Sequence, residues 1–121
     1  MKPTVLVVED DATLRFLVAE ALSMLDLDVV ECATADKALQ ILRQANDVNL
    51  VLTDIRMPGQ IDGLELATLI WQHWPQLPVI LTSGHMSLGA DRLPARSAFM
   101  AKPWTLDQLH KAVSDRLAHL G

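Results

Sequence analysis

Short apolar runs alternate with segments of helical spacing along the whole of this 121-residue sequence, and polar residues follow four of the runs. The four runs are Thr4-Val5-Leu6-Val7-Val8, Asn49-Leu50-Val51-Leu52-Thr53, Val79-Ile80-Leu81-Thr82 and Ala98-Phe99-Met100-Ala101. Alternating strand and helix signals are typical of a parallel sheet with helices on both faces. In such sheets, ligands bind beyond the carboxyl ends of the strands. The pattern therefore predicts an α/β fold with one functional site at that edge.

Three acids, a hydroxyl and an amine stand at these strand ends: Glu9 and Asp10, Asp54, Ser83, and Lys102. A carboxylate can act as a nucleophile and hold a phosphoryl group as an acyl phosphate. Mg²⁺ prefers hard oxygen ligands of the kind that the acids offer. Lys102 can pair with Asp54 and later with a phosphoryl oxygen, and the Ser83 hydroxyl can donate to another oxygen. The set predicts a magnesium-dependent site that accepts a phosphoryl group.

The remaining elements follow from hydrophobic spacing and from breaker residues. They are a first helix with Leu14, Leu17, Val18, Ala21 and Leu25 on one face, a strand at residues 28–32, a second helix that Thr34 caps and that includes residues 37–44, a loop at residues 55–63, a third helix from about Gly63 to Trp74, and a final helix marked by Leu106, Leu109, Val113 and Leu117. The strand at residues 28–32 is less apolar than the others, which is typical of a sheet edge. With neither a linker nor a repeat in the sequence, we expect one domain.

Composition narrows the class of function. The net charge is −5 and the sequence pI is about 5.1, without a run of basic residues, so we do not expect a nucleic-acid partner. The single cysteine, Cys32, cannot form an internal disulfide and is typical of a reducing compartment. The sequence shows no signal peptide and no apolar run of membrane-spanning length. We therefore expect a cytoplasmic protein without a membrane partner.

Five motifs together carry a family resemblance. They are Val7-Val8-Glu9-Asp10-Asp11, Asp54-Ile55-Arg56-Met57-Pro58-Gly59, Asp62-Gly63-Leu64-Glu65-Leu66, Ser83-Gly84 and Lys102-Pro103. With them the chain resembles the receiver domains of two-component response regulators, over essentially all 121 residues. The resemblance implies one receiver domain over residues 1–121. It also implies a flavodoxin-like, doubly wound, five-stranded parallel sheet in the order 2-1-3-4-5, with five helices of which the fourth is short.

The resemblance implies roles for the acids. Asp54 accepts the phosphoryl group from a phosphohistidine of a histidine kinase or a histidine phosphotransfer protein. Asp10, Asp54 and the backbone carbonyl of Arg56 bind Mg²⁺ directly, and Glu9 binds it through water. The family works as a signalling switch with magnesium-dependent self-phosphorylation and self-dephosphorylation, not as a turnover enzyme.

The resemblance also implies a switch pair, in which Ser83 is the hydroxyl and Phe99 is the aromatic residue whose rotamer follows it. Thr82 and Ser83 are adjacent hydroxyls that compete for the role. Receivers usually follow the switch hydroxyl with Ala or Gly, and Gly84 follows Ser83, so we choose Ser83. The family usually has Tyr where this chain has Phe99, which removes a hydroxyl and can alter the coupling.

Two more positions bear on how long the phosphoryl group persists. In the family, the residues two beyond the acceptor and two beyond the switch hydroxyl flank the hydrolytic water, and here they are Arg56 and His85. We expect both side chains to tune the lifetime of the acyl phosphate.

The segment from residue 85 to 101 is shorter than receivers usually carry by nearly one helical turn. Pro94 disfavours helical geometry at Leu93, and Gly89 lies in the same segment, so any fourth helix is expected to be brief. Many DNA-binding regulators form active dimers through this region. We therefore expect the activated protein to stay mainly monomeric and to signal to a different protein.

Two alternatives remain open at this point. A haloacid-dehalogenase-like phosphatase also uses an aspartate nucleophile and Mg²⁺, but it needs Asp-x-Asp after the first strand, and this chain has Glu9 at the nucleophile position. A receiver-like module that binds partners without phosphorylation is the other alternative. The intact acids, Ser83 and Lys102 count against it.

Overall fold

The five strands form one parallel sheet with the order β2-β1-β3-β4-β5. This computed structural model describes residues 2–44, 47–56, 59–84 and 97–118. The strands are β1 (Thr4–Val8), β2 (Asp28–Cys32), β3 (Leu50–Asp54), β4 (Val79–Ser83) and β5 (Ser97–Ala101). The helices in the described residues are α1 (Ala12–Ser23), α2 (Ala35–Gln44), α3 (Gly63–His73) and α4 (Leu106–Leu117). The predicted flavodoxin-like sheet order and the edge position of β2 are confirmed.

The end of β4 differs from the sequence prediction by one residue. Ser83 is the last residue of β4, whereas the apolar run placed it just beyond the strand, and β3 ends at Asp54 as predicted. The ladder continues past them because the Ile55 N–H donates to the Thr82 carbonyl at 2.9 Å and the Lys102 N–H donates to the Ser83 carbonyl at 3.0 Å. The brief helix predicted between β4 and β5 falls on residues 85–96, which lie outside the described residues.

The core has two parts, one on each face of the sheet. Strand side chains alternate between the faces, so neighbouring residues of one strand enter different clusters. Leu6, Val51 and Leu81 pack with α2 and α3, whereas Val7 and Leu52 pack with α1 and α4. By the same alternation, Glu9, Asp54 and Thr82 belong to the face of the sheet that α1 and α4 cover.

Each helix begins at a polar residue that caps it. The Asp11 carboxylate accepts from the Thr13 N–H at 2.9 Å, and the Thr34 hydroxyl accepts from the Lys37 N–H at 3.1 Å, as the sequence predicted for Thr34. Asp62 and Thr105 form capping boxes at the starts of α3 and α4. Among the described residues, no helix is long and apolar enough to cross a membrane.

Candidate functional site

Three carboxylates converge at the carboxyl edge of the sheet. One carboxylate oxygen from each of Glu9, Asp10 and Asp54 lies within 4.8 Å of the others. Glu9 is buried at 6% exposure, Asp54 is half-buried and Asp10 is exposed. Three hard oxygen donors in this space can hold a metal ion. We call these residues the acid cluster.

The acid cluster forms because β1 and β3 are neighbours in the sheet. Val8 is paired with Thr53, so the residues that follow each of them come side by side. The Glu9 N–H donates to the Cys32 carbonyl at 3.1 Å, which continues the pairing of β1 with β2. The Glu9 carbonyl accepts from Arg15 Nη1 at 2.8 Å. The backbone at Glu9 is therefore held on one side by β2 and on the other by the first turn of α1.

Lys102 supplies a positive charge to the acid cluster. Its Nζ lies 3.3 Å from Asp54 Oδ2 and 3.4 Å from Glu9 Oε1. The pairing with Asp54 was predicted from the sequence. The second contact, with Glu9, was not, because sequence order does not reveal which carboxylate points towards the amine.

Burial raises the pKa of the Glu9 carboxyl above its usual value. The Asp11 N–H, which donates to Glu9 Oε2 at 3.1 Å, and the Lys102 ammonium act in the opposite direction. A side-chain hydrogen bond with Asp10 and the negative charge of Asp54 raise the pKa of Glu9 further. A cation among the acids would favour the ionised form of Glu9.

The backbone next to Asp54 is fixed by a close approach of α3. The Gly63 N–H donates to the Ile55 carbonyl at 2.8 Å, and a Cβ at Gly63 would overlap the Asp54 carbonyl oxygen. Only glycine allows α3 to begin so near the end of β3. The Asp-Gly pair that the sequence identified as a loop therefore sets the distance between α3 and Asp54.

The loop after β3 is tied to α2 by a contact that the sequence did not predict. Asp36 Oδ2 accepts from the Gln60 N–H at 3.2 Å. Gly59, directly before Gln60, has φ 116°, a backbone conformation that favours glycine. The Pro-Gly pair could have indicated the turn, but only the fold brings Asp36 to it.

The candidate switch residues lie at the other strand ends. Thr82 and Ser83 are both buried, and Asp54 is in register with Thr82. Leu81 is in register with Phe99, and Phe99 packs against the cluster on the α2 and α3 face. By strand alternation, Ser83 shares the face of Phe99, whereas Thr82 shares the face of Asp54.

Of the two residues predicted to tune the lifetime, the structure describes one. Arg56 is exposed and follows Ile55 directly after β3. His85 lies outside the described residues. The structure therefore leaves both roles as predictions.

Comparison with known proteins gives a family and several relatives. The family model described as "Response regulator receiver domain" matches residues 5–114. The C4-dicarboxylate transport transcriptional regulatory protein DctD of Rhizobium meliloti is 38% identical over 88% of this chain and 24% of its own length. The DNA-binding transcriptional regulator NtrC of Escherichia coli is 32% identical over 93% of this chain and 24% of its own length. The chain thus spans about a quarter of the length of these relatives.

Solved structures share the fold. A response regulator receiver protein from Sinorhizobium medicae matches with a TM-score of 0.88 and 29% identity, over 97% of this chain and 95% of that one. NtrX from Brucella abortus matches with a TM-score of 0.86 and 33% identity, over 98% of this chain and 28% of that one.

Proposed function

The chain belongs to the response regulator receiver domain family, and from that premise we propose that Asp54 accepts a phosphoryl group. One observation carries the proposal. The Asp54 carboxylate lies within 4.8 Å of the Glu9 and Asp10 carboxylates and 3.3 Å from Lys102 Nζ. A phosphoryl acceptor needs this combination of hard oxygen ligands and a positive donor around the nucleophile.

In the proposed reaction, an Asp54 oxygen attacks the phosphorus of a phosphohistidine. The new O–P bond forms as the P–N bond breaks, and the imidazole leaves with the bonding electron pair. Lys102 is close enough to Asp54 to turn its ammonium from the carboxylate to a phosphoryl oxygen. The protein thus serves as a switch that carries out these steps on its own side chain, without turning over an external substrate.

The acid cluster fits Mg²⁺, since all its donors are carboxylate oxygens. Asp10, Asp54 and the Arg56 carbonyl would hold the ion directly, and Glu9 would hold it through water. The ion would supply positive charge that offsets the charge on the transferring group. Burial raises the pKa of the Glu9 carboxyl, and a cation nearby would favour its ionised form.

The proposed output uses Ser83 and Phe99. The burial of Ser83 and the shared sheet face of Ser83 and Phe99 support this pair. A hydroxyl drawn towards a phosphoryl group at Asp54 would leave space on the Phe99 face into which the ring can turn. Thr82 remains the alternative switch hydroxyl. Ser83→Ala and Thr82→Val distinguish the two residues, because only the variant that lacks the switch hydroxyl should block partner binding after phosphorylation.

Arg56 and His85 are the proposed lifetime residues. The Arg56 side chain, exposed and two residues beyond Asp54, can hydrogen-bond a phosphoryl oxygen or crowd the attacking water. We expect Arg56→Ala and His85→Ala to change the rate of dephosphorylation without changing the unfolding midpoint. Unchanged rates in both variants would remove these side chains from the mechanism.

The proposed partners are a histidine kinase or histidine phosphotransfer protein upstream and a different protein downstream. Receiver domains interact with such phosphodonors as a family. Phosphotransfer profiling against the histidine kinases of the host would identify the donor for this chain. The relatives DctD and NtrC are transcriptional regulators by name and are about four times longer than this chain. A single domain over residues 1–121, a cytoplasmic location and the absence of direct nucleic-acid and membrane contacts remain predictions.

The test is incubation with acetyl phosphate and magnesium, followed by intact-mass spectrometry. We expect one added phosphoryl group, lost in Asp54→Asn and after chelation of the metal. Asp26→Asn is the matched control, because Asp26 is exposed and distant from the cluster in sequence. Labelling of Asp54→Asn at the wild-type level would overturn the assignment. An unlabelled wild type that still binds a partner would favour the phosphorylation-independent module, and turnover of generic phosphate esters would favour a phosphatase.

The oligomeric state is tested by light scattering with and without beryllofluoride. We propose that the activated protein stays mainly monomeric at micromolar concentration. The segment on which this rests, residues 85–96, lies outside the described residues. A stable dimer that forms only on activation would contradict it.

A further inference from the structure

Trp104, which lies between β5 and α4, has an indole N–H that is buried and has no hydrogen-bond acceptor within reach among the described residues. A buried donor without a partner is costly, because it has given up its hydrogen bonds to water. Native proteins therefore satisfy almost all such groups, either with protein atoms or with ordered water. The Trp104 N–H calls for a partner of this kind.

A small cavity lined by Glu9 and Asp54 of the acid cluster has room for a water molecule that could be this partner. It has about 10 Å³ of space for the centre of a water molecule, close to the smallest volume that holds a single water. Trp104 lines it together with four polar side chains, Glu9, Asp54, Thr82 and Lys102, and the rest of the wall is apolar, from residues of β1, β3 and α1. A bound water needs two to four polar partners, and the polar residues of this wall are the candidates for them.

Trp104 also lines a second, larger space. This is an open apolar groove of about 540 Å³, formed with Leu14 and Leu17 of α1 and with Pro103. Among the described residues, Lys102 and Trp104 line both the small cavity and the groove. Trp104 therefore borders the space beside the acid cluster and the open groove alike.

We propose that one water molecule binds in the small cavity, accepts a hydrogen bond from the Trp104 indole and donates to oxygen atoms of Asp54 and Thr82. This site makes Trp104 a positioning residue that links chemistry at Asp54 to the shape of the apolar groove. The link to phosphorylation, though not the water site itself, rests on the proposed function of Asp54.

The coupling has a direct physical basis. The free Asp54 carboxylate is a strong, charged acceptor. In an acyl phosphate the same oxygen atoms are less basic, so the bound water loses its best acceptor. The water then reorients or leaves, and the indole N–H changes its environment with it. Because the ring is also a wall of the groove, the groove changes when Asp54 is modified.

The spectroscopic test uses the fact that the chain has three tryptophans. Trp71 and Trp74 belong to the end of α3, and Trp74 packs in the core cluster on the opposite sheet face. In the protein carrying Trp71→Phe and Trp74→Phe, all indole emission comes from Trp104. We expect acetyl phosphate with magnesium to shift this emission, and we expect no shift when Asp54→Asn is added.

Mass spectrometry on the same sample separates the two proposals. If no phosphoryl group is added, the proposed function of Asp54 fails. If the group is added and the Trp104 emission does not move, the coupling proposed here is wrong. The matched control is a protein that keeps Trp71 and Trp74 and carries Trp104→Phe, which should give no phosphorylation-dependent shift.

A double-mutant cycle tests the water site without any phosphorylation. Trp104→Phe removes the N–H and keeps an aromatic ring, and Thr82→Val removes the hydroxyl and keeps the shape. If both groups hold one water, the effects of the two changes on the unfolding equilibrium constant should depart from additivity by about threefold or more. Additive effects would overturn the shared water, and Trp74→Phe with Thr82→Val gives the additive reference.

Discussion

Gly63, the first residue of α3, lies against the carbonyl of Asp54, the last residue of β3, so closely that any side chain at Gly63 would overlap that oxygen. The start of α3 is therefore packed directly against the backbone at the end of β3, next to the acid cluster. The first prediction follows from this relationship.

Gly63→Ala should destabilise the protein by about 3 kcal/mol or more, because the new methyl group meets backbone atoms that cannot rotate away. It should also slow phosphorylation in whatever fraction remains folded, because Asp54 must shift. Gly84→Ala is the matched control, since among the described residues the nearest atom to a Cβ there would be Lys102 Cβ at 3.8 Å. Urea unfolding measures both variants, and equal midpoints would contradict the prediction.

Magnesium should raise the unfolding midpoint of the unmodified protein. A ligand that binds only the folded state stabilises it in proportion to the logarithm of its concentration over Kd. Asp10→Asn should remove most of this gain, because it takes one carboxylate from the acid cluster. Asp11→Asn should keep it, because Asp11 caps α1 and asparagine caps equally well. Thermal unfolding across a magnesium titration gives the comparison, and an equal loss in both variants would speak against a specific site.

Gly59→Ala should destabilise the protein by about 1–2 kcal/mol, from the positive φ of this residue. A Cβ at Gly59 would also lie 2.5 Å from Asp36 Oδ2, so the carboxylate must move. Asp36→Ala alone should cost less than about 1 kcal/mol, since water can replace its exposed contact with Gln60. The double variant should cost less than the sum of the two in urea unfolding. Strict additivity would show that the carboxylate moves freely.

Burial raises the pKa of the Cys32 thiol to about 11. Because the thiolate is the reactive form, a disulfide reagent should label the native protein slowly at neutral pH and rapidly in urea. The folded state keeps this proton between about pH 9 and about pH 11 while the unfolded chain loses it, so the unfolding free energy should fall as pH rises through this window. Cys32→Ala should flatten that part of the profile. Fast labelling without denaturant would refute the assignment.

The sheet and the grouping of the site were predictable from the sequence because both depend on local patterns. The apolar runs locate the strands, and parallel strands bring Glu9, Asp54 and Lys102 to one edge wherever the helices pack. The one-residue extension of β4 was not predictable, because it depends on a hydrogen bond between strands, from the Lys102 N–H to the Ser83 carbonyl.

Three other features also needed the fold. Arg15 reaches back six residues to the Glu9 carbonyl, Asp36 reaches the loop 24 residues later, and Trp104 closes the cavity beside Asp54. Arginine on a helix and aspartate in a first turn are ordinary surface residues by their local pattern, and nothing in their spacing predicts these partners. Each of these contacts joins parts of the chain that only the folded arrangement brings together.

Lys102 places a single ammonium among the three carboxylates of the acid cluster. With all three acids ionised, the set carries two negative charges, equal and opposite to the charge of one divalent cation. An acyl phosphate at Asp54 would replace one negative charge by about two. The unmodified and phosphorylated states would then differ by about one unit of charge. Salt at about 0.1 M would screen that difference beyond about 10 Å. A partner protein must therefore distinguish the two states by the shape of the surface, and the affinity ratio between them should depend only weakly on ionic strength.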